Sequence, residues 1–497
     1  MIRSVAAASL CALAASLAPS PAAAVRLAED GLGQALIYPY YTARSSDGNA
    51  WNTLLSVVNT REKPKVVKVR FREAVHGRIV WEANVYLGPY DMWTAAVIPG
   101  SDGAAHLVSA DKSCIDPPHS GSDAGAFSTA SFSGGAADGA RTGLGTSGVD
   151  RTLEGFAEVI EMGTLAGETA AAVTMPTPEQ SPVFDAFNCA HVVGTGFTRN
   201  VEAPEGGLSG TALLLNVNSG LSLPYEPVAL ADLTRSAFYS DVGASGTDYD
   251  SPQVTPESVV VLPASIVAGF GSGYLLRSSW NRGVDAVSAV LMTSAIQGEY
   301  VLDAVTQSET EWVVTLPTAR FYTDAAPPVP PFTHSFSAAG ACELHQAAIF
   351  DREQARGAAG IDLGAPGPPA SSICYASTVL SFRNGTIYSP STPALPTLLL
   401  GSDTGNNVEV ESSFQDGFVL TDLSPSSPGL TSLASSTTID LGTGNVSTGA
   451  QTFKGLPVIG FAGSSFNNGL LDCSGQRCSG NFGVAYPLHA IRDVSHP

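Results

Sequence analysis

Basic residues, long apolar runs and catalytic signatures are what this chain has least of. Acidic side chains outnumber basic ones 45 to 24, and the net charge is −21. Lysine occurs as Lys63, Lys65 and Lys68 in one stretch, and otherwise only as Lys112 and Lys454. That balance argues against nucleic acid or an anionic membrane surface as partner, since both are polyanions. Past the amino-terminal residues no stretch reaches the roughly 20 apolar residues of a spanning helix, so no membrane span is expected. Neither a Gly-x-Ser-x-Gly elbow nor a His-Glu-x-x-His pair occurs, which removes the commonest signals of a serine hydrolase and a zinc protease. Asp403-Thr404-Gly405 matches one half of an aspartic-protease site, but those enzymes need two such aspartates and there is no second copy. A hairpin turn is the reading preferred there.

What is present begins with an export signal. Residues 1–24 carry Arg3, then an apolar run, then Ala22-Ala23-Ala24 as a small-residue cleavage site. Leu10 precedes Cys11 where a lipoprotein signal needs a small residue, so lipidation is not expected. Removal of this segment takes Arg3 with it and leaves 23 basic against 45 acidic residues, a balance of −22. The expected location is periplasmic or extracellular. Six cysteines then remain, Cys114, Cys189, Cys342, Cys374, Cys473 and Cys478. An even count in an exported chain reads as disulfides. Six allow 15 connectivities, among which sequence does not choose; neighbour pairing is the working guess, as Cys114–Cys189, Cys342–Cys374 and Cys473–Cys478.

Residues 34–98 hold the clearest periodicity. Val67, Val69 and Phe71 alternate with Lys68, Arg70 and Arg72, and Trp81, Ala83, Val85 and Leu87 alternate with Glu82, Asn84 and Tyr86. Period two marks strands with one face buried and the other wet. Residues 54–58 are apolar on both faces, as in a central strand. Turn signals at 59–64, at His76-Gly77 and at 88–91 separate these runs by hairpin-sized gaps. Five or six successive strands follow, which fits a β-sandwich.

The segments WNTLLSVVNTREKPKVVKVRFRE and RIVWEANVYLGPYDMW resemble immunoglobulin-like sandwich modules of secreted bacterial proteins. With WVVTLPTARFY, IFDRE and GLPVIGF, the wider chain is similar to an uncharacterised family of secreted bacterial proteins. The resemblance implies a sandwich fold and export, and it brings no activity, because one fold hosts many functions.

The remainder reads as mainly β: two immunoglobulin-like or related β-sandwich regions with long loops and a few short helices. The first is expected over 25–200, with a flexible Gly/Ser/Ala/Asp-rich insertion at 116–150, and a larger second region over 201–497. Residues 155–163 read as a late strand of the first sandwich, 229–238 as a short helix, and 285–297 as the best helix. Strands are expected near 312–316, 347–350, 377–382, 408–411, 418–420 and 456–461, with turns at Asn384-Gly385, 403–406 and Asp416-Gly417.

Four groups are candidates for function. Asp241, Asp248 and Asp250 share a polar loop whose oxygens suit Ca²⁺, the one cofactor considered. Cys189/His191 and Cys342/His345 have metal-compatible spacing, although export favours disulfides over zinc. Tyr86 falls out of phase with the apolar face and is the aromatic expected at the surface, where it could stack on a glycan or a protein. Lys68, Arg70 and Arg72 make a basic stripe that could meet acidic surface on another copy. The expected role is therefore non-enzymatic: a secreted surface, matrix or interaction protein, partnered by itself, another surface protein or a glycan. A carbohydrate-binding protein, or a hydrolase with a dispersed triad that only geometry reveals, is the alternative.

Overall fold

The computed structural model describes residues 24–495, except 47–48, 119–122, 133–147, 175–188, 190–191, 194–198, 263–273, 338–339, 354, 358–371, 385–395, 425–430, 441–445 and 448–450. The export segment expected at 1–24 thus lies outside the described residues save for Ala24. The fold is mainly β, with short helices.

The first sandwich consists of two antiparallel sheets. Sheet 1 runs Arg26–Leu27, Val228–Ala231, Ala35–Thr42, Glu154–Leu165, Lys65–Glu73, Ile79–Leu87, Cys114–Asp116, and Val201–Glu202 also pairs with Glu154–Leu165. Sheet 2 runs Asp123–Ala126, Ala105–Val108, Met92–Pro99, Asn52–Asn59, Leu208–Asn216, Leu221–Tyr225. The sandwich therefore continues past residue 200 to Ala231, and the expected boundary would have cut four strands from it. The alternation of 65–73 is realised as expected: Val67, Val69 and Phe71 face Val57, Trp93, Val97 and Leu214 of sheet 2 in one core. Phe71 packs edge-on against Tyr41 at 5.3 Å and against its cross-strand partner Trp81 at 5.8 Å.

Part of the 116–150 stretch is not a free linker. Asp123–Ala126 pairs with Ala105–Val108, and Phe127 and Phe132 enter the core, Phe127 at 5.1 Å from Phe71. Two phenylalanines in a Gly/Ser-rich context carry enough apolar surface to anchor it.

The second half forms two five-stranded sheets. One runs Gly405–Val410, Ser377–Asn384, Glu309–Thr315, Ile459–Cys473, Gln476–Pro487, and the other Arg356–Gly357, Gln346–Asp351, Asp416–Asp422, Ala295–Val301, His489–Ile491. Trp312 lies between them, 4.9 Å from Phe382 and donating to the Glu299 carbonyl at 3.0 Å. All the expected strands of this half form. Ser377–Asn384 and Gly405–Val410 are parallel, however, so the turn at Asp403-Thr404 does not close a hairpin. Asp416-Gly417 likewise lies inside a strand, and Asn384-Gly385 extends beyond the described residues.

The expected 285–297 helix is Gly283–Leu291, every residue of which is buried. It stops early because Met292–Thr293 and Ala295–Val301 are claimed by strand pairing. The expected 229–238 helix is absent: Val228–Ala231 pairs with Ala35–Thr42.

The halves share their cores. Ala35, Ile37, Phe156, Ile160 and Leu230, on the far face of sheet 1, join the helix Gly283–Leu291, Trp280 and Trp312 in one cluster. The outer face of sheet 1 is thus a floor for the second half. Among the described residues the outer face of sheet 2 has no such cover.

Candidate functional site

The basic stripe of sheet 1 is interior. Lys68 is fully buried, and Arg70 and Arg72 are each 2% exposed. The Lys68 ammonium donates to the carbonyls of Ser240 and Asp241, both at 3.0 Å. Burial lowers its pKa to about 8, and Glu82 offsets only part of that. Arg70 pairs with Glu82 and reaches the Thr247 carbonyl, while Arg72 pairs with Glu158 and donates to Asp248 at 3.3 Å. Arg320, from the second half, binds Asp248 at 2.7 Å. Burial works against the Asp248 carboxylate, but Arg320, Arg72 and Arg70 outweigh it and hold its pKa at about 2. Beside them Lys65 and Glu161, both fully buried, pair at 2.7 Å. Burial raises the Glu161 pKa, against the pull of Lys65 and of the Glu205 and Gly206 amides.

The surface expected for Lys68, Arg70 and Arg72 is therefore corrected. Alternation identifies a face turned away from one core, and here a second layer lies on that face. Tyr86 is corrected for the same reason. It is 1% exposed, packs with Val66, Met162 and Val173, and accepts from Arg199 at 3.0 Å.

The calcium candidates do not converge. Asp248 is committed to guanidinium groups, Asp241 is exposed with Arg199 at 3.6 Å, and Asp250 is exposed. Among the described residues no group of three or more His, Cys, Asp or Glu is arranged to hold a metal. Cys114–Cys189 and Cys342–Cys374 are disulfides, as expected. His191 and the side chains of Cys473 and Cys478 lie outside the described part; in backbone register Cys473 faces Gln476, and Cys478 faces Leu471. His345 is 5% exposed, neither ring nitrogen has a hydrogen-bond partner among the described residues, and burial pushes its pKa down to about 4.

Asp403 belongs to a structural clamp that sequence reading missed. Its carboxylate pairs with Arg44 at 2.5 Å, and Arg44 also holds Glu154 at 2.8 Å. Glu154 accepts from the Tyr40 hydroxyl at 2.7 Å and from the Asp403 amide at 3.0 Å. Nearby, Glu311 accepts the Leu399 and Leu400 amides, and Trp51 donates to the Leu399 carbonyl at 2.9 Å. Such buried acids are fixed by donors on several sides, which leaves them poorly placed to exchange protons with a substrate.

The open face of sheet 2 is of the opposite character. Asn52–Asn59, Met92–Pro99, Leu208–Asn216 and Leu221–Tyr225 contain no Asp, Glu, Lys or Arg, and Ala105–Val108 adds only His106. Leu55, Val57, Trp93 and Leu214 point inward, which turns Leu54, Met92, Thr94, Ala96, Thr211 and Leu213 outward. Leu54 is 39% and Met92 47% exposed. These side chains line an open trough of about 560 Å³ across the middle of the sheet. Antiparallel sheets with one face on the core ordinarily carry polar residues on the other. The signal in the sequence is the 54–58 run, apolar on both faces. Period alone does not say whether the second face is covered.

Comparison with protein-family models, curated proteins and solved structures gives no match for this chain.

Proposed function

We propose that this chain is an exported, non-enzymatic interaction protein that works by protein contact through the neutral face of sheet 2. One observation carries the reading: an apolar, partly exposed sheet face whose four longest strands bear no formal charge, with Asp123 an acid on the edge strand, in a chain of net charge −21. Exposed contiguous apolar surface marks contact sites, since each Å² removed from water contributes about 25 cal/mol. Export is supported by the amino-terminal signal pattern and by two disulfides, which persist in oxidising compartments. The resemblance of 51–93 to immunoglobulin-like modules of secreted bacterial proteins agrees with it. No helix among the described residues is long and apolar enough to cross a membrane. A glycan surface is less well supported: Trp51, Trp93 and Tyr86 are at most 1% exposed, and the trough lining has no aromatic ring.

A photoactivatable residue placed at Thr94 tests this in the native cell-envelope or culture fraction. The reading expects a polypeptide adduct from Thr94 and none from a control at Val305, an exposed loop position. Absence of any adduct at Thr94 would contradict it.

A further inference from the structure

We propose that the partner on this face is a second copy of the same chain, packed sheet to sheet about a twofold axis. The inference rests on the contact reading above and commits it to one occupant. In an isologous contact, residues near the axis meet their own copies, so any charge there meets its like. The Asn52–Asn59, Met92–Pro99 and Leu208–Asn216 strands supply no charge to be repelled. Acids stand at the rim: the Asp111 carboxylate accepts the Thr94 amide at 3.3 Å, and Asp123 lies on the edge strand opposite Val108. Two acid-rich chains can approach with least repulsion where their surfaces are neutral, and this face is such a place.

Relief and size agree with the same occupant. Leu54 and Met92 stand beside the smaller Ser56, Thr94, Ala96 and Thr211. Large side chains next to small ones are what two facing sheets interdigitate, at about 10 Å separation. Strands about 4.8 Å apart, rising about 3.4 Å per residue, make a four-stranded face roughly 20 Å by 25 Å. Two such faces bury on the order of 1,000 Å², the lower bound for a specific interface.

The experiment is sedimentation of the intact mature protein over a range of concentrations and ionic strengths. Wild type is expected to dimerise reversibly, with an affinity that salt does not weaken. Thr94→Glu and Thr94→Lys, exposed substitutions expected to leave the thermal midpoint of the dilute monomer unchanged, are each expected to weaken the dimer at least about 100-fold. Mixing the two variants is expected to restore a heterodimer. A wild-type monomer at every concentration overturns the proposal, as does a dimer that Thr94→Glu leaves intact or that salt dissolves. With a wild-type monomer, an adduct from Thr94 to another protein leaves the contact reading standing; no adduct removes both.

Discussion

Sheets 1 and 2 of the first sandwich face the same core and turn opposite chemistry outward. Sheet 1 carries Lys65, Lys68, Arg70, Arg72, Glu82, Glu158 and Glu161, and its outer face is covered. Sheet 2 carries no formal charge on its four longest strands, and its outer face is open among the described residues. Hydrophobicity alone would have put them the other way round. The difference teaches that cover is decided by neighbours. Residues 232–254 and Arg320 lie over the charged face and supply carbonyls and Asp248 to it, so its cations leave water for defined partners. Charges so enclosed add specificity more readily than net stability.

The largest expected effect breaks the covered side. Lys65→Met leaves Glu161 buried without its cation, and the loss should be about 3–5 kcal/mol in denaturant unfolding. Adding Glu161→Leu should return most of it, because an apolar pair of similar size is tolerated. A loss below about 1 kcal/mol for Lys65→Met alone would place this pair in water. Next comes the edge of the same sheet. Cys114, on the last strand of sheet 1, is bonded to Cys189 across 75 residues, so Cys114→Ser with Cys189→Ser should cost about 4 kcal/mol on the chain-entropy view.

A smaller effect tests whether the second half is equally dry. His345 has a folded pKa of about 4 against an ordinary 6.5. Between those values the unfolded chain binds the additional proton. The contribution of neutral His345 is thus complete above pH 6.5 and lost as pH falls toward 4, by about 3 kcal/mol. The difference between wild type and His345→Leu in unfolding free energy should show that slope; parallel curves from pH 7 to 4 would mean the imidazole is hydrated. The smallest effect belongs to the open side: at concentrations too low for dimerisation, Leu54→Glu should change stability by less than about 0.5 kcal/mol. A large loss there would show that sheet 2 is covered within the chain.

The strand pattern of 65–87, the inward placement of Phe71, the sandwich and the presence of disulfides were legible in the sequence, because alternation and cysteine count are local signals; which cysteines pair was not, since the count leaves 15 connectivities. The fate of each outer face was not. Lys68, Arg70 and Arg72 read as wet because the layer that covers them, with Ser240, Thr247 and Asp248 as partners beside Glu82 and Glu158, lies more than 150 residues away in the chain. Tyr86 failed for the same reason, its hydroxyl meeting Arg199 and Tyr239. The helix over 285–297 was placed but overextended, since no local cue shows that Ala295–Val301 has a strand waiting in Asp416–Asp422. The neutral face of sheet 2 left a trace in 54–58, but its neighbours Met92–Pro99 and Leu208–Asn216 come together only by pairing.

Acetylation of the native protein, read lysine by lysine in a mass spectrometer, tests the inverted arrangement most directly. Exposed Lys63 and Lys112 should be modified within minutes while Lys65 and Lys68 stay unreacted until the protein is unfolded. Lys65 and Lys68 reacting as fast as Lys63 would contradict the account.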